Sequence, residues 1–135
     1  MVPRLATKIP LRILVAEDNP VNQRVAALLL RRMGYEPRIV SNGLEALDSL
    51  RKQDFDVVML DVQMPEMDGL ETARRIIASY GERPRPWLIA LTANALEGSR
   101  DECLQAGMDD YITKPVRVTD LTRALSRAGE RAEQG

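Results

Sequence analysis

The sequence predicts an α/β domain built on a parallel β-sheet with helices on both faces. Three observations carry this. Five short apolar runs alternate along the chain with five segments whose apolar residues keep helical spacing. Runs such as RILVA, DVVML and WLIALT are apolar enough for strands covered on both faces, and right-handed crossovers would join them. The chain has 135 residues, 44% of them hydrophobic, which is enough for one domain with a real core.

Residues 1–10, MVPRLATKIP, carry proline near each end and show no clear period. They are expected to be a leader or linker, the stump of a longer parent chain, ahead of a domain over 11–128 and a polar tail over 129–135. RILVA (Arg12 to Ala16) is the first strand. Asn19 then Pro20 gives a capping side chain followed by proline at the first helical position. Val21, Val25, Leu28 and Leu29 continue that helix and Gly34 ends it. EPRIV (Glu36 to Val40) is the second strand; Asn42 with Glu45 resembles a capping box, ahead of Leu44, Leu47 and Leu50 on one helical face. DVVML (Asp56 to Leu60) is the third strand. A break over Pro65–Gly69 precedes the stripe Leu70, Ala73, Ile76 and Ile77. WLIALT (Trp87 to Thr92) is the fourth strand, and Leu96, Arg100, Cys103 and Leu104 suggest a weaker helix. DYIT (Asp110 to Thr113) is the fifth, and Leu121, Ala124, Leu125 and Ala128 make the last amphipathic helix. The loop SYGERPRPW (Ser79 to Trp87) reads as a solvated connection.

Composition narrows the chemistry. A net charge of −1 gives no basic field for nucleic acid and no attraction to a membrane surface. No apolar run approaches the roughly 18 residues that span a bilayer, and no secretory signal is visible. The single cysteine, Cys103, cannot form an internal disulfide, in keeping with a cytoplasmic location. There is no histidine, which removes the commonest general base and any histidine phosphate carrier on this chain. Chemistry must rest on carboxylates, hydroxyls and lysine.

In an open parallel sheet, ligands gather outside the carboxyl ends of the strands. Here those ends bring Glu17 and Asp18, then Asp61, then Thr92, then Thr113 and Lys114 ahead of Pro115 to one edge. Carboxylates about 4 Å apart repel by roughly 4 kcal/mol at an effective dielectric near 20. Three acids against one ammonium leave two negative charges, which a divalent cation cancels; hard oxygen donors select Mg2+. Beside such an ion, Asp61 is placed to act as a nucleophile that forms an aspartyl phosphate. Lys114 and the Thr92 hydroxyl would neutralise the moving oxygens. Taken singly, each residue has a plainer role: a turn or helix cap for Asp61, charge at a helix start for Glu17 and Asp18, a solvated amine for Lys114, core packing for Tyr111 and for the methionines near Asp61. Together, and in this order, they point to the site.

The segments VAEDN, VVMLDVQMPEMDG, ALTA and YITKP, in this order and spacing, resemble the receiver domain of two-component response regulators over roughly residues 11–128. AEDNPVNQRV and RMGYEPRIVSNGLEAL are more similar to receivers attached to hybrid sensor histidine kinases than to DNA-binding regulators. The resemblance implies a flavodoxin-like doubly wound (βα)5 fold, with sheet order 2-1-3-4-5 and five helices. It implies that Asp61 is the phosphoacceptor, and that Asp18, Glu17, Asp61 and the backbone carbonyl of Gln63 serve Mg2+. Thr92 and Lys114 would contact the phosphoryl group, Thr92 and Tyr111 would report the switch, and the Lys114–Pro115 peptide would be cis. Gln63 and Asn94 flank the phosphoryl position and would tune its lifetime.

The expected function is a phosphoacceptor module. It would be fed by a histidine kinase dimerisation domain or a histidine phosphotransfer protein, docked near Asn22 and Gln23, with a phosphorylation-dependent dimer as a further expectation. The chain would make no contact of its own with nucleic acid or membrane. It would be no enzyme beyond catalysing its own phosphorylation and dephosphorylation. Its origin would be a hybrid sensor kinase or a stand-alone regulator, and a membrane-anchored parent fits the former. A haloacid-dehalogenase-type phosphatase is the rival reading, but it wants an acid two residues after the nucleophile, where this chain has Gln63. A nucleotide or flavin module wants a glycine-rich turn after the first strand, where AEDNPVNQ offers none.

Overall fold

The computed structural model describes residues 5–64, 67–93 and 97–134. Five strands, β1 (Ile13–Ala16), β2 (Arg38–Val40), β3 (Val57–Asp61), β4 (Trp87–Thr92) and β5 (Asp110–Thr113), pair in parallel in the order β2-β1-β3-β4-β5. The flavodoxin-like arrangement expected from the sequence is therefore the one adopted. Among the described residues the helices are α1 (Leu5–Lys8), α2 (Pro20–Arg32), α3 (Gly43–Lys52), α4 (Gly69–Tyr80), α5 (Glu97–Gln105) and α6 (Val118–Gln134). Pro65, Asn94 and Leu96, each given a role above, lie outside the described residues.

Strand residues of opposite parity face opposite layers. Ile13, Val15, Val57, Met59, Ile89 and Leu91 pack with Ala26 and Leu30 of α2 and with Leu121 and Leu125 of α6. Leu14, Val58, Leu60, Leu88 and Ala90 pack with Ala46, Ala73, Ile76 and Cys103 of α3, α4 and α5. Both faces are thus covered, which is why the central strands β1, β3 and β4 read as apolar runs. Each wholly buried Leu or Ile contributes about 1.5–3 kcal/mol of transfer free energy.

The helix starts follow from their capping residues. Asn19 Oδ1 accepts the N–H groups of Val21 at 2.8 Å and Asn22 at 3.2 Å. Asn42 Oδ1 accepts from Glu45 N at 2.8 Å, and Glu45 returns a carboxylate oxygen to Ser41 N at 3.0 Å. The reciprocal bond of this box therefore falls one residue before the cap.

Two features depart from the sequence reading. The five expected helices become six because Leu5–Lys8 makes a helical turn. Leu5 and Ala6 pack on the core, Ala6 N donates to the Met33 carbonyl at 2.9 Å, and the Tyr35 hydroxyl donates to the Ile9 carbonyl at 2.6 Å. Part of the segment read as a leader is therefore docked on the domain. One helical turn offers too few positions for a period to show. At the other end α6 runs through the residues set apart as a tail, to Gln134. Gly129 allows this close approach, since a Cβ there would come within 2.5 Å of Ile9 Cγ2.

Candidate functional site

The sheet register brings the functional side chains together. Ala16 sits opposite Leu60, Asp61 opposite Leu91, and Thr92 opposite Thr113, so the residues that follow these strands emerge at one edge. Glu17, Asp18, Asp61, Gln63, Thr92 and Lys114 all line one open cleft of about 870 Å³ there. Thr113 lies beside them on β5, opposite Thr92, and Tyr111 stands two residues earlier on the same strand.

Glu17, Asp61 and Thr92 are 1%, 4% and 5% exposed, whereas Asp18 is open to solvent. The buried acids are tied down. Lys114 Nζ lies 2.8 Å from Glu17 Oε1 and 3.0 Å from Asp61 Oδ2. Asp61 Oδ1 accepts the Gln63 N–H at 3.1 Å, and Glu17 Oε2 accepts the Asn19 N–H at 3.2 Å. The Lys114 N–H donates to the Thr92 carbonyl at 2.7 Å, and the Lys114–Pro115 peptide that turns the chain here is cis.

The approach of α4 completes the wall. Gly69 donates its N–H to the Val62 carbonyl at 3.0 Å, and a Cβ on it would clash with the Asp61 carbonyl oxygen. Glycine is required because two backbones meet. Asp68, which caps α4 by accepting the Glu71 N–H at 2.8 Å, also lines the cleft. The sequence reading passed over it as part of a break. An Asp–Gly pair directly before a helical stripe was the signal available.

Electrostatics make the pair Glu17–Asp61 uneven. Burial, then the adjoining Glu17 carboxylate, pushes Asp61 up to about 7, with Lys114 acting in the opposite sense. Burial also raises Glu17, but hydrogen bonding with Asp61 and Lys114 outweighs it and leaves that group below its ordinary value. Burial lowers Lys114, yet its two carboxylate partners raise it on balance, so the amine stays charged.

The donor set fits a hard divalent cation. Glu17, Asp18 and Asp61 each offer a carboxylate oxygen, all within 4.8 Å of one another. Glu17 Oε1 is buried and faces the Lys114 ammonium at 2.8 Å. One ammonium against three acids leaves the edge negative, and a cation would complete the balance.

The face around Asn22 and Gln23, where a partner is expected from the sequence, is more apolar than those two residues suggest. Asn22 lines the cleft, but the Gln23 amide is engaged internally, donating to the Glu17 carbonyl at 2.6 Å and to Ser41 Oγ at 3.2 Å. Val21, Val25 and Leu28, at helical spacing on α2, are instead exposed.

Residues 13–126 match the family model described as the response regulator receiver domain. The chain is 43% identical over 123 residues to hybrid signal transduction histidine kinase H of Dictyostelium discoideum; this covers 88% of the chain and 9% of the relative. It is 38% identical over 147 residues to the sensor histidine kinase GacS of Pseudomonas protegens, covering 97% of the chain and 16% of that protein. The chain thus spans a small fraction of these curated relatives. Among solved structures, it superimposes with a TM-score of 0.80 and 44% identity on the receiver domain of a Pseudomonas aeruginosa sensor histidine kinase, over 89% of this chain and 98% of that one. That receiver was solved with a magnesium ion coordinated in its active site cleft. A Saccharomyces cerevisiae response regulator receiver, crystallised with a histidine phosphotransfer protein, gives a TM-score of 0.83 at 26% identity, over 90% of each chain.

Proposed function

This chain belongs to the response regulator receiver domain family, and we propose that it accepts a phosphoryl group on Asp61 from a histidine phosphate of a kinase or phosphotransfer domain. The observation that carries this is Asp61 itself: a buried carboxylate at a strand end, 3.0 Å from a lysine amine and within reach of two further acids. The relatives support the setting, since hybrid histidine kinases carry the matching segment and a related receiver holds magnesium in its cleft.

Glu17, Asp18 and Asp61, with the Gln63 carbonyl, would hold Mg2+, which supplies positive charge to the transferring oxygens. The rest is done by this chain's side chains. Asp61 attacks phosphorus with a carboxylate oxygen; a P–O bond forms as the donor's P–N bond breaks, and the electron pair returns to the imidazole nitrogen. Lys114 donates to a phosphoryl oxygen and balances the charge it brings. The Thr92 hydroxyl, on the neighbouring strand, is drawn to another. Its displacement opens room on that side of the sheet for Tyr111, and α5, β5 and α6 form the face that changes. A few kcal/mol of differential stabilisation suffices to exchange the dominant state.

The donor must be another domain, because the chain has no histidine. The exposed Val21–Val25–Leu28 stripe beside the cleft suits the apolar surface of a histidine-bearing helical bundle. The matched relatives make the receiver of a hybrid sensor kinase the favoured origin. The reading is tested by incubating the protein with acetyl phosphate and Mg2+ and measuring phosphate incorporation by intact mass. Wild type gains one phosphoryl group and Asp61→Asn gains none; equal labelling of the variant rejects the assignment.

A further inference from the structure

Three arginines outside the cleft converge on Tyr111, and they hold its backbone and its side chain by different means. Arg123 of α6 donates from Nη2 to the Tyr111 carbonyl oxygen at 3.2 Å. One turn on, Arg127 Nη1 stands 3.4 Å from Oδ1 of the buried Asp110, and that same oxygen accepts the Tyr111 N–H at 2.8 Å. The backbone on both sides of Tyr111 is thereby pinned to α6. The ring is met from α5, where Arg100 Cζ lies 5.9 Å from its centroid, within cation–π range. Arg100 is exposed and Tyr111 half-buried.

The register shows why this contact matters. Ala90 sits opposite Tyr111 and Thr92 opposite Thr113, so Thr92 and Tyr111 project to the same side of the sheet, one strand and two residues apart. That side carries α5. Cys103 of α5 is buried in the same core cluster against which Tyr111 packs, and Leu104 is 48% exposed. Among the described side chains of α5, Arg100 is the one whose charged group meets the ring.

We infer that Arg100 is a positioning residue that holds the Tyr111 ring in its half-exposed place, with Arg123 and Arg127 fixing the pivot about which the ring turns. This rests on the switch proposed above. When Thr92 moves toward a phosphoryl group, the ring can follow only by leaving the guanidinium, so Arg100 biases the equilibrium toward the unphosphorylated form. An exposed cation–π contact of this kind changes a two-state equilibrium by about two- to five-fold.

The test uses full chain labelled with 3-fluorotyrosine, in which Tyr35, Tyr80 and Tyr111 give three 19F resonances, Tyr111 being assigned with Tyr111→Phe. Beryllofluoride with Mg2+ serves as the phosphoryl mimic and marks where the Tyr111 resonance moves on activation. Without the mimic, Arg100→Gln should shift the Tyr111 resonance toward that position, with a two- to five-fold rise in the activated population, and leave Tyr35 and Tyr80 unmoved. Arg100→Lys, which keeps a cation over the ring, should stay near wild type. Arg100→Gln should bind beryllofluoride about two- to five-fold more tightly, and the gain should vanish in a Tyr111→Ala background. An unmoved Tyr111 resonance in Arg100→Gln, or an equal shift in Arg100→Lys, overturns the inference. If wild type fails to bind beryllofluoride, the Asp61 reading falls, while a Tyr111 resonance that moves in Arg100→Gln and stays in Arg100→Lys still shows that the cation positions the ring, and one that moves in neither overturns it.

Discussion

Replacing Asp61 by asparagine should make the metal-free protein more stable, and by an amount that grows with pH. In the fold Asp61 titrates at about 7 rather than 3.8, driven up first by burial and then by Glu17. Between about pH 4 and pH 7 the folded form therefore keeps a proton that the unfolded chain has released, and stability falls as pH rises through that window. At about 1.36 kcal/mol per unit, the full shift bounds the loss at about 4 kcal/mol. Asparagine does not titrate, fills nearly the same volume, and has an amide N–H to offer Glu17 where the acid had its proton. Lys114 keeps Glu17 as a partner at 2.8 Å, so the variant strands no charge. The advantage should be near zero at about pH 4 and reach about 1–4 kcal/mol at about pH 8. Urea unfolding in EDTA at a series of pH values measures it directly, with an unchanged m-value as the check that both proteins unfold alike. Adding Mg2+ should stabilise wild type, by about 2.7 kcal/mol at a hundred times its dissociation constant, and the variant less. A stability difference that is flat with pH, or a variant less stable than wild type at about pH 8, would refute the account of a strained carboxylate.

Lys114→Met removes the one ammonium that both buried acids face, and should cost about 2–4 kcal/mol at about pH 8 and less at about pH 5, where Asp61 is protonated and only Glu17 loses its partner; the same urea series reads this. Leu28→Glu and Val21→Glu should slow phosphotransfer from a histidine-phosphate donor at least roughly ten-fold while leaving acetyl phosphate labelling intact, because they place charge on the apolar stripe and not in the cleft. Asp109→Ala should cost about 2–3 kcal/mol without altering labelling. It removes two bonds from Arg85, at 2.8 and 3.1 Å, and one from the Leu88 N–H at 2.8 Å, all at the sheet edge opposite Asp61.

What the sequence discloses here depends on how local the cause is. Strand β4 falls on Trp87–Thr92 as read, because an apolar run bounded by proline and polar residues leaves little room for another assignment, and β5 falls on Asp110–Thr113 as read, a short alternating stretch that follows Gly107. β2 is shorter than its apolar-looking segment, Arg38–Val40 in place of Glu36–Val40, since Pro37 has no N–H for a ladder and Glu36 stays in solvent. The cleft was legible for a topological reason: parallel strands all discharge at one edge, so residues distant in the chain must meet there whatever their side chains do. Contacts set by packing angle left no such trace. The docking of Ile9 under Tyr35, the capture of Gln23 by Ser41 and the stacking of Arg100 on Tyr111 each depend on how a helix lies on the sheet, and no spacing along the chain encodes that.

The same topology explains why the cleft is the costly part of the molecule and the sheet the stabilising part. Ala16, Leu60 and Leu91, inside the final turn of their strands, are wholly or almost wholly buried, while the very next residues on two of those strands are acids. Burial that stabilises the fold up to Leu60 therefore penalises the charge at Asp61 one step later, and Lys114 compensates for only part of it. A carboxylate held near neutrality in this way is a poor nucleophile until positive charge arrives, since it must ionise before it can attack. Whatever cation binds Glu17, Asp18 and Asp61 would lower the Asp61 pKa, and would do so only when the site is loaded. Reactivity and folding stability are then both recovered by the same binding event, which predicts that the labelling rate and the Mg2+-induced rise in stability follow one saturation curve.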